Sequence, residues 1–436
     1  MAPVIDKRLC VTCSAPTNIA VIKYWGKDSV ALNTPINSSA SVTLCQDDLR
    51  AITTVAASKE FEKDQLWLNG IEEDVSKNKR FQAVIREVRA LATDKRDDDT
   101  GKVLVAKADW NQYRVRIASR NTFPTAAGLA SSAAGLACLT FSLSKLFNAE
   151  ESYPGELSAI ARQGSGSACR SLYGGFVKWE KGQREDARDS IAVQVADEHH
   201  WPEMRAFILV ASAEKKDTSS TAGMSTSVQT SPLLGFRARE VVPPRLAEIE
   251  KAYLERDFAS FGKITMQDSN QFHATCLDTF PPIFYMNDIS RSVIRIIHAY
   301  NAFHGEIRAA YTFDAGPNAV VYHLAKDSAE LLALLLRFYP APGDESVEDN
   351  ASRSGEYVNN LDIMKEAEEA DAALPEGLQE ACLKTGRTPA SGDVKMIYYT
   401  KTGGSPRVLG DEERMLDLES GDVIYPTPSC SNGTSS

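Results

Sequence analysis

Residues 121–135 form a stretch of small side chains that could bind phosphate. The stretch has the sequence NTFPTAAGLASSAAG, and the residues after it have the apolar spacing of a helix. A loop that opens a helix leaves backbone N–H groups free at the positive end of the helix dipole, where an anion is stabilised. Gly128 would let phosphate oxygens approach the main chain, and the hydroxyls of Ser131 and Ser132 could bind phosphate or its magnesium ion. A turn that needs small residues only for packing fits the same composition.

Lys23 and Asn18 are polar residues in an otherwise apolar, strand-like segment. Residues 15–26 have the sequence APTNIAVIKYWG. Burying an amide and an ammonium group costs free energy unless each finds a partner. Lys23 could therefore be a structural lysine with a buried ion-pair partner, or it could supply positive charge beside a phosphate or a catalytic carboxylate.

Two further polar segments carry candidate site residues. Residues 164–171 have the sequence GSGSACRS, in which the glycines and serines could line an anion. Arg170 offers a planar fork suited to a carboxylate, although a turn with an ordinary surface arginine explains the same residues. Asp314 begins the sequence DAGPN, where an aspartate usually caps the turn through its own backbone. A catalytic carboxylate is the alternative.

The elements that would position these residues indicate an α+β protein. Residues 113–119 predict a strand that leads directly into the small-residue stretch, and residues 39–44 and 50–56 predict the two strands of a hairpin. The residues expected on the buried face of the helix after the stretch are Leu136, Leu139, Leu143, Leu146 and Phe147. Strands and helices are mixed without a regular βαβ alternation, which favours the α+β class.

The composition excludes several classes of function. The chain has 436 residues, of which 43% are hydrophobic and 25% charged, as in an ordinary globular protein of two domains. Its net charge of −11 argues against a general nucleic-acid surface. The apolar runs are too short to span a bilayer and the first residues lack a signal-peptide core, so we expect no membrane association and a cytoplasmic location.

We expect an N-terminal domain over residues 1–198, a C-terminal domain over 199–426 and a disordered tail over 427–436. The eight cysteines are scattered, and the only C-x-x-C pair is Cys10 and Cys13. No second pair completes a zinc site, and a strand would point these two side chains to opposite faces. We therefore expect them to pack in the interior.

The small-residue stretch resembles the phosphate loop of the GHMP kinase superfamily, because its order is Pro-x-x-x-Gly-Leu-Ala-Ser-Ser-Ala. It lacks the lysine of a P-loop and the glycine spacing of a dinucleotide fold. Together with five other segments, it makes the chain similar to the mevalonate diphosphate decarboxylase family. Those segments are residues 16–27, 35–39, 164–171, 215–224 and 314–318.

The resemblance implies a fold and a reaction. The fold would be the two-domain GHMP kinase fold, with a first domain like ribosomal protein S5 domain 2 and a ferredoxin-like second domain. The reaction would convert mevalonate 5-diphosphate and ATP to isopentenyl diphosphate, ADP, phosphate and carbon dioxide, a step towards isoprenoids and sterols. Mg²⁺ would be the cofactor and a homodimer the assembly. Since a tertiary hydroxyl is a poor leaving group, it would be phosphorylated before carbon dioxide departs.

The resemblance also implies roles for individual residues. Asp314 would face the tertiary hydroxyl as general base with Lys23 as its cationic neighbour, and Arg170 would hold the substrate carboxylate with help from Asn18. The other implied substrate ligands are Tyr24, Ser165 and Ser167. The implied ATP ligands are Gly128, Leu129, Ala130, Ser131, Ser132 and Lys215, with Trp67 and Asn69 near the adenine. The implied metal ligands are Ser131 and Ser132.

Thr221 stands where bacterial relatives tend to carry arginine, so we expect the contacts to the substrate diphosphate to be distributed differently. Two other functions would use many of the same features. A GHMP small-molecule kinase would phosphorylate without releasing carbon dioxide, and a phosphometabolite-binding protein would do no chemistry. The joint presence of Asp314, Lys23 and Arg170 speaks against the binding protein, whereas the kinase shares the phosphate loop.

Overall fold

The computed structural model describes residues 5–123, 131–211, 217–342 and 357–424. The expected tail at 427–436 lies outside these ranges. The strands are β1 Cys10–Pro16, β2 Asn18–Ile22, β3 Lys27–Ser29, β4 Thr34–Pro35, β5 Ser39–Thr43, β6 Arg50–Ser58, β7 Gln65–Leu68, β8 Ile71–Glu73, β9 Lys95–Arg96, β10 Val103–Val105, β11 Arg114–Asn121, β12 Phe176–Trp179, β13 Ala192–Ala196, β14 Met204–Val210, β15 Ala309–Phe313, β16 Ala319–Leu324, β17 Met396–Lys401 and β18 Arg407–Val408.

Helices alternate irregularly with these strands. The α-helices are α1 Lys79–Ala90, α2 Ser131–Leu146, α3 Glu156–Gly164, α4 Ser220–Thr230, α5 Pro232–Phe236, α6 Val242–Glu255, α7 Phe258–Asp278, α8 Asp288–His304, α9 Ser328–Phe338, α10 Leu361–Ala372 and α11 Leu378–Leu383. A π-helical turn, Arg237–Val241, joins α5 to α6. Within the described ranges, no helix combines the length and the apolar content that crossing a membrane requires.

Three larger sheets carry the fold. The first sheet has the strand order β18-β1-β6-β11-β7-β8, the second β13-β12-β5-β2 and the third β15-β16-β14-β17. Neighbouring strands in these sheets are antiparallel, except that β7 and β11 are parallel. Largely antiparallel sheets with irregularly placed helices confirm the α+β class.

Helix α2 packs on the first sheet through the predicted apolar stripe. The stripe residues are all buried: Leu136, Leu139, Leu143, Leu146 and Phe147. They share a core with residues of β1, β6 and β11. Cys10 and Cys13 of β1 belong to apolar clusters on opposite faces of this sheet, as the alternation of a strand requires. Because β11 ends at Asn121, this sheet delivers the chain to the small-residue stretch.

The hairpin expected from residues 39–44 and 50–56 is wrong. Both segments are strands, but β5 pairs with β2 and β12 in the second sheet, whereas β6 pairs with β1 and β11 in the first. Both strands are buried along almost their whole length, so each is a central strand with a neighbour on either side. The short connection between them therefore carries the chain from one sheet to another.

The second and third sheets share one large apolar core. Helices α6 and α7 contact β2 of the second sheet, and α7 also contacts β15 of the third. Ile19 of β2 and Phe313 of β15 lie in the same buried cluster. The packing of these two sheets around the same helices brings the ends of β2 and β15 together.

The C-terminal segment returns to the first sheet after β17. Strand β18 pairs with β1, and Met415 and Leu416 are buried in a cluster with Ile52 and Ala118. The N–H of Met415 donates to Thr54 Oγ1 at 3.0 Å. The last described residues thus complete the N-terminal sheet.

Gly175 lies where the second sheet meets this returning segment, and its replacement by alanine should destabilise the protein. The N–H of Gly175 donates to the Gly403 carbonyl oxygen at 2.9 Å. Gly175 has a φ of +72°, and a Cβ added to it would lie 2.2 Å from the Ala196 carbonyl oxygen. The left-handed backbone alone costs a non-glycine residue roughly 1–2 kcal/mol, and the clash adds to that cost. Urea titration of Gly175→Ala should therefore show a loss in the free energy of unfolding that is greater than roughly 1–2 kcal/mol.

Gly101→Ala is the matched control for this prediction. Gly101 has a similar φ of +68°, but no atom lies within 4 Å of an added Cβ. This variant should lose only the conformational cost. Equal losses for the two variants would contradict the packing argument.

Candidate active site

Lys23 and Asp314 form an ion pair that joins strands from different sheets. Lys23 directly follows β2 and Asp314 directly follows β15. Lys23 Nζ lies 2.5 Å from Asp314 Oδ1. The lysine side chain is 3% exposed, whereas the aspartate side chain is 33% exposed. The ammonium thus holds the carboxylate from the protein interior and leaves it accessible to a substrate.

Burial controls the charge state of the groups around this pair. Loss of hydration lowers the pKa of the Lys23 ammonium, while the carboxylates of Asp314 and Asp268 oppose that change. Burial also lowers the pKa of the neighbouring His273 to about 3, so this imidazole is neutral at physiological pH. Lys23 is therefore the cation that faces Asp314, and His273 adds no competing charge.

Arg170 is a second cation of the site and is held by neutral groups. Its Nε donates to Asn18 Oδ1 at 3.1 Å and its Nη1 donates to Ser39 Oγ at 2.6 Å. Asn18 Nδ2 donates in turn to the Ser167 carbonyl oxygen at 3.1 Å and to Ser171 Oγ at 2.7 Å. The arginine is buried, yet no carboxylate of the described chain pairs with it. A guanidinium fixed in this way keeps its charge for a bound anion.

Tyr24 and the segment around Ser165 line the same region. Ser165 precedes the 3-10 helix that carries Arg170, and Ser167 lies within this helix; both are half-buried. The Tyr24 ring packs edge-on against Trp179, with 4.7 Å between ring centroids, and its buried hydroxyl has no partner among the described residues. A buried hydroxyl without a partner is costly, so a ligand oxygen would satisfy it.

The glycine between Ser165 and Ser167 has a packing role. A Cβ on Gly166 would lie 3.0 Å from the Tyr24 ring and 2.9 Å from Trp179. Gly166 therefore makes room for the tyrosine, which explains its presence without any contact to an anion.

The structure covers the predicted nucleotide site only in part. Four of the predicted ATP ligands lie outside the described residues: Gly128, Leu129, Ala130 and Lys215. The side chain of Ser131 also lies outside them. Ser131 is the first residue of α2, and Ser132 is exposed in the first turn of this helix. An open hydroxyl at the start of a 16-residue helix fits a phosphate oxygen or a phosphate-bound Mg²⁺, which prefers oxygen ligands.

Trp67 and Asn69 lie beside the strand that enters the phosphate loop. Trp67 of β7 pairs with Ala118 of β11. Asn69 Oδ1 accepts from the N–H of Asn121 at 3.1 Å, directly before the small-residue stretch. The structure therefore brings both residues next to the end of β11.

Arg80 is a cation close to Tyr24 and Lys27 that the sequence patterns did not reveal. Arg80 Nη2 on α1 donates to Thr221 Oγ1 on α4 at 3.3 Å. Burial lowers the pKa of Lys27, and the charge of Arg80 lowers it further. Burial raises the pKa of the Tyr24 phenol, whereas Arg170 and Arg80 act to lower it. An arginine from α1 thus reaches the position where bacterial relatives were expected to carry their own arginine.

Asp268 and Arg237 also escaped the sequence analysis, although both touch the backbone of Lys23. Arg80 and Arg237 each stand among several charged residues of a helical pattern, so periodicity could not distinguish them from surface residues. Asp268 could have been found from its position, since it is a carboxylate on the buried face of a predicted helix. A charge at such a position indicates a buried partner.

Comparison with solved structures gives the class of this fold. Mevalonate diphosphate decarboxylase from Trypanosoma brucei matches with a TM-score of 0.82 and 35% identity over 94% of this chain and 100% of that chain. A structure described as MDDEF in complex with MVAPP, AMPPCP and magnesium matches with a TM-score of 0.65 and 26% identity over 92% of this chain and 98% of that chain. The fold is that of the two-domain ATP-using enzymes of the GHMP kinase superfamily.

Sequence comparison then gives the family. The diphosphomevalonate decarboxylase-like N-terminal domain matches residues 15–192, and the mevalonate 5-diphosphate decarboxylase C-terminal domain matches residues 206–409. Diphosphomevalonate decarboxylase of Rattus norvegicus is 50% identical over 95% of this chain and 97% of its own length. That of Homo sapiens is 52% identical over 92% of this chain and 94% of its own length. The chain belongs to the diphosphomevalonate decarboxylase family.

The rate of the enzyme is expected to fall at alkaline pH as Lys23 loses its proton. Because burial lowers the pKa of Lys23 from its ordinary value of 10.5, the ammonium and its attraction for Asp314 are lost as the pH rises, before pH 10.5 is reached. The profile of kcat against pH should therefore have a basic limb in that range. Lys23→Arg stays charged throughout, so its residual activity should lack this limb. An unchanged limb in that variant would contradict the assignment.

Proposed function

We propose that the site around Asp314 is where this enzyme decarboxylates mevalonate 5-diphosphate. The reaction consumes ATP with Mg²⁺ and yields isopentenyl diphosphate, ADP, phosphate and carbon dioxide. The observation that carries the placement is the Lys23–Asp314 pair, with its open carboxylate, in the same electrostatic neighbourhood as Arg170. The accessible carboxylate of Asp314 suits a substrate hydroxyl that must lose its proton. The guanidinium of Arg170, which has no carboxylate partner among the described residues, suits the carboxylate of the substrate.

Asp314 is the proposed acceptor of the hydroxyl proton. As the tertiary oxygen attacks the terminal phosphorus of ATP, a new O–P bond forms, the bond to ADP breaks and the hydroxyl proton passes to the carboxylate. The exposed third of the Asp314 side chain supports this role. Lys23 would fix the direction in which the carboxylate points.

Arg170 and Asn18 are the proposed holders of the substrate carboxylate. In the second step, phosphate leaves the tertiary carbon and the bond to the carboxylate carbon breaks. The electrons of that bond form the new double bond as carbon dioxide departs. The two bonds must be aligned for this to happen, which is a matter of substrate orientation. The two side-chain hydrogen bonds that fix Arg170 support its role as a rigid anchor.

The diphosphate end of the substrate is proposed to lie near Tyr24. Its unpartnered hydroxyl and the adjacent cations Arg80 and Lys27 support this placement. Ser165 and Ser167 would add hydroxyl donors from the segment before Arg170. In this arrangement Arg80, held by Thr221, supplies a charge from α1.

ATP is proposed to bind at the start of α2. Gly128, Leu129 and Ala130 would offer backbone N–H groups, and Ser131 and Ser132 would bind phosphate oxygens and Mg²⁺. When bound, the metal ion offsets the negative charge of the phosphates. Lys215 would contact the nucleotide phosphates. Trp67 and Asn69 would lie towards the adenine, which their position next to the end of β11 supports.

The division of the chain near residue 199 is also a proposal. The N-terminal family match ends at residue 192 and the C-terminal match begins at residue 206, which supports a boundary between them. The proposed second domain, 199–426, would include the segment that returns to the first sheet.

A homodimer and a cytoplasmic location remain predictions. The seven cysteines of the described residues are all unpaired, which supports a reducing compartment.

Sedimentation equilibrium of the full chain would test the assembly, and a monomer at all concentrations would contradict the predicted dimer.

One assay separates the proposed reaction from the kinase alternative. The full chain is incubated with ATP, Mg²⁺ and carboxyl-labelled mevalonate 5-diphosphate, and ADP and labelled carbon dioxide are followed together. Equal release of both is the expected result. ADP without labelled gas would identify a kinase, and neither product would leave only a binding protein.

Asp314→Asn tests the proposed base. The change keeps the size of the side chain but removes the charge, so kcat should fall by roughly 10²- to 10⁴-fold. Affinity for ATP, measured by calorimetry, should stay near that of the parent enzyme. Asp288→Asn is the control, because Asp288 is 93% exposed and forms an ion pair with Arg291 of its own helix. A folded Asp314→Asn enzyme with the turnover of this control would rule out the base role.

Arg170→Gln tests the proposed carboxylate anchor. Glutamine keeps a hydrogen-bonding group but loses the charge, so it should weaken binding of mevalonate 5-diphosphate more than binding of ATP. The ratio of the two dissociation constants, compared with that of the parent enzyme, is the measurement. Equal weakening of both ligands would count against the assignment.

A further inference from the structure

A fully buried ion pair lies directly behind the Lys23–Asp314 pair. Arg237 Nη1 and Nη2 donate to Asp268 Oδ1 and Oδ2, each at 2.8 Å, and both side chains are 0% exposed. Arg237 opens the π-helical turn between α5 and α6, and Asp268 lies within α7. π-Helical turns occur frequently at functional sites.

This pair holds both sides of the Lys23 backbone. Asp268 Oδ2 accepts from the Lys23 N–H at 2.7 Å, and Arg237 Nη2 donates to the Lys23 carbonyl oxygen at 3.0 Å. The ladder between β2 and β5 ends at Ile22, so Lys23 lies beyond the sheet and takes these hydrogen bonds from side chains. Fixing the peptide groups before and after one Cα fixes the direction in which its side chain leaves the backbone.

Helix α7 also holds the other partner of the catalytic pair. Ser269 Oγ accepts from the Phe313 N–H at 3.0 Å, one residue before Asp314. Adjacent residues of one helix, Asp268 and Ser269, thus contact the chain at Lys23 and next to Asp314. The relative position of these two strand ends is set by a single rigid element.

A buried ion pair is weak support for stability, because desolvation of the two charges offsets most of their attraction. The hydrogen bonds to Lys23 give this pair a different use. We propose that Arg237 and Asp268 are positioning residues for the reaction, which set the Lys23 ammonium against the Asp314 carboxylate without touching the substrate. This inference rests on the proposed role of the Lys23–Asp314 pair.

Arg237→Gln, compared with Arg245→Gln, tests the proposal. Arg245 Nη1 also donates to Asp268 Oδ1 and to Gln271 Oε1, both at 3.2 Å, but Arg245 makes no hydrogen bond to Lys23. Both variants remove one cation from Asp268, whereas only Arg237→Gln removes a charged donor from the Lys23 carbonyl oxygen. That oxygen then keeps only its hydrogen bond from Asn37 Nδ2 at 3.0 Å. Since a displacement of about 1 Å can cost about 10²-fold in rate, kcat of Arg237→Gln should fall by about that factor. Arg245→Gln should keep a kcat close to that of the parent enzyme, and KM for ATP should be unchanged in both.

The pH profile provides a readout that a purely structural role would not change. Lys23 is faced by Asp314 and Asp268, by Arg170 and by the neutral His273. If Lys23 moves away from Asp314, it loses an attraction that raises its pKa, so the basic limb of kcat should move to lower pH in Arg237→Gln only. An unmoved limb, or equal kcat losses in the Gln variants of Arg237 and Arg245, would overturn the proposal.

Arg237→Lys keeps the test decisive if Arg237→Gln does not fold. A lysine preserves the charge opposite Asp268, but a single ammonium cannot reproduce the fork that reaches both Asp268 oxygens and the Lys23 carbonyl. Its melting temperature should stay close to that of the parent enzyme while its kcat falls. Full kcat in Arg237→Lys would overturn the proposal. The role of the catalytic pair itself is judged separately, by Asp314→Asn.

Discussion

The active site depends on one charge contact that only the complete fold can make. Lys23 and Asp314 are separated by 291 positions in the sequence, and their side chains meet at 2.5 Å. The contact requires the second and third sheets to end at the same place, with the lysine buried and the carboxylate open. Since a buried ammonium is costly without a partner, a displacement of either sheet would leave Lys23 uncompensated. The pair therefore links the geometry of the site to the integrity of the fold.

The surroundings of the two cations differ in a way that suits their proposed tasks. The charge of Lys23 is compensated by two carboxylates of the protein, those of Asp314 and Asp268. Arg170 is fixed by Asn18 and Ser39, which are neutral, so its charge remains for a ligand. Two neighbouring buried cations thus differ in the charge that is left for a ligand, because their hydrogen-bond partners differ in charge.

The sequence predicted the local features of this protein well. The helix after the phosphate loop could be recognised because Leu136, Leu139 and Leu143 recur at helical spacing, and that spacing depends only on neighbouring residues. Lys23, Asn18, Arg170 and Asp314 lie in three motifs, which in this order together with the small-residue stretch resemble the family.

What could not be predicted depends on pairing between distant segments. Strands β5 and β6 have a short link and similar patterns, so they resemble a hairpin, but their buried faces belong to different sheets. Arg237 and Asp268 have no motif, because their role arises only from where the Lys23 backbone lies in space. Arg80 likewise reaches Thr221 of α4 and lies near Tyr24 only in the folded chain, which no spacing in the sequence encodes.

The return of the C-terminal segment to the first sheet has a consequence for how the enzyme is made. Strand β1 is synthesised almost 400 residues before its edge partner β18. During synthesis that edge is unpaired, and an exposed strand edge can associate with other chains. A chain that already contains β18 is therefore the earliest species in which the first sheet can be complete.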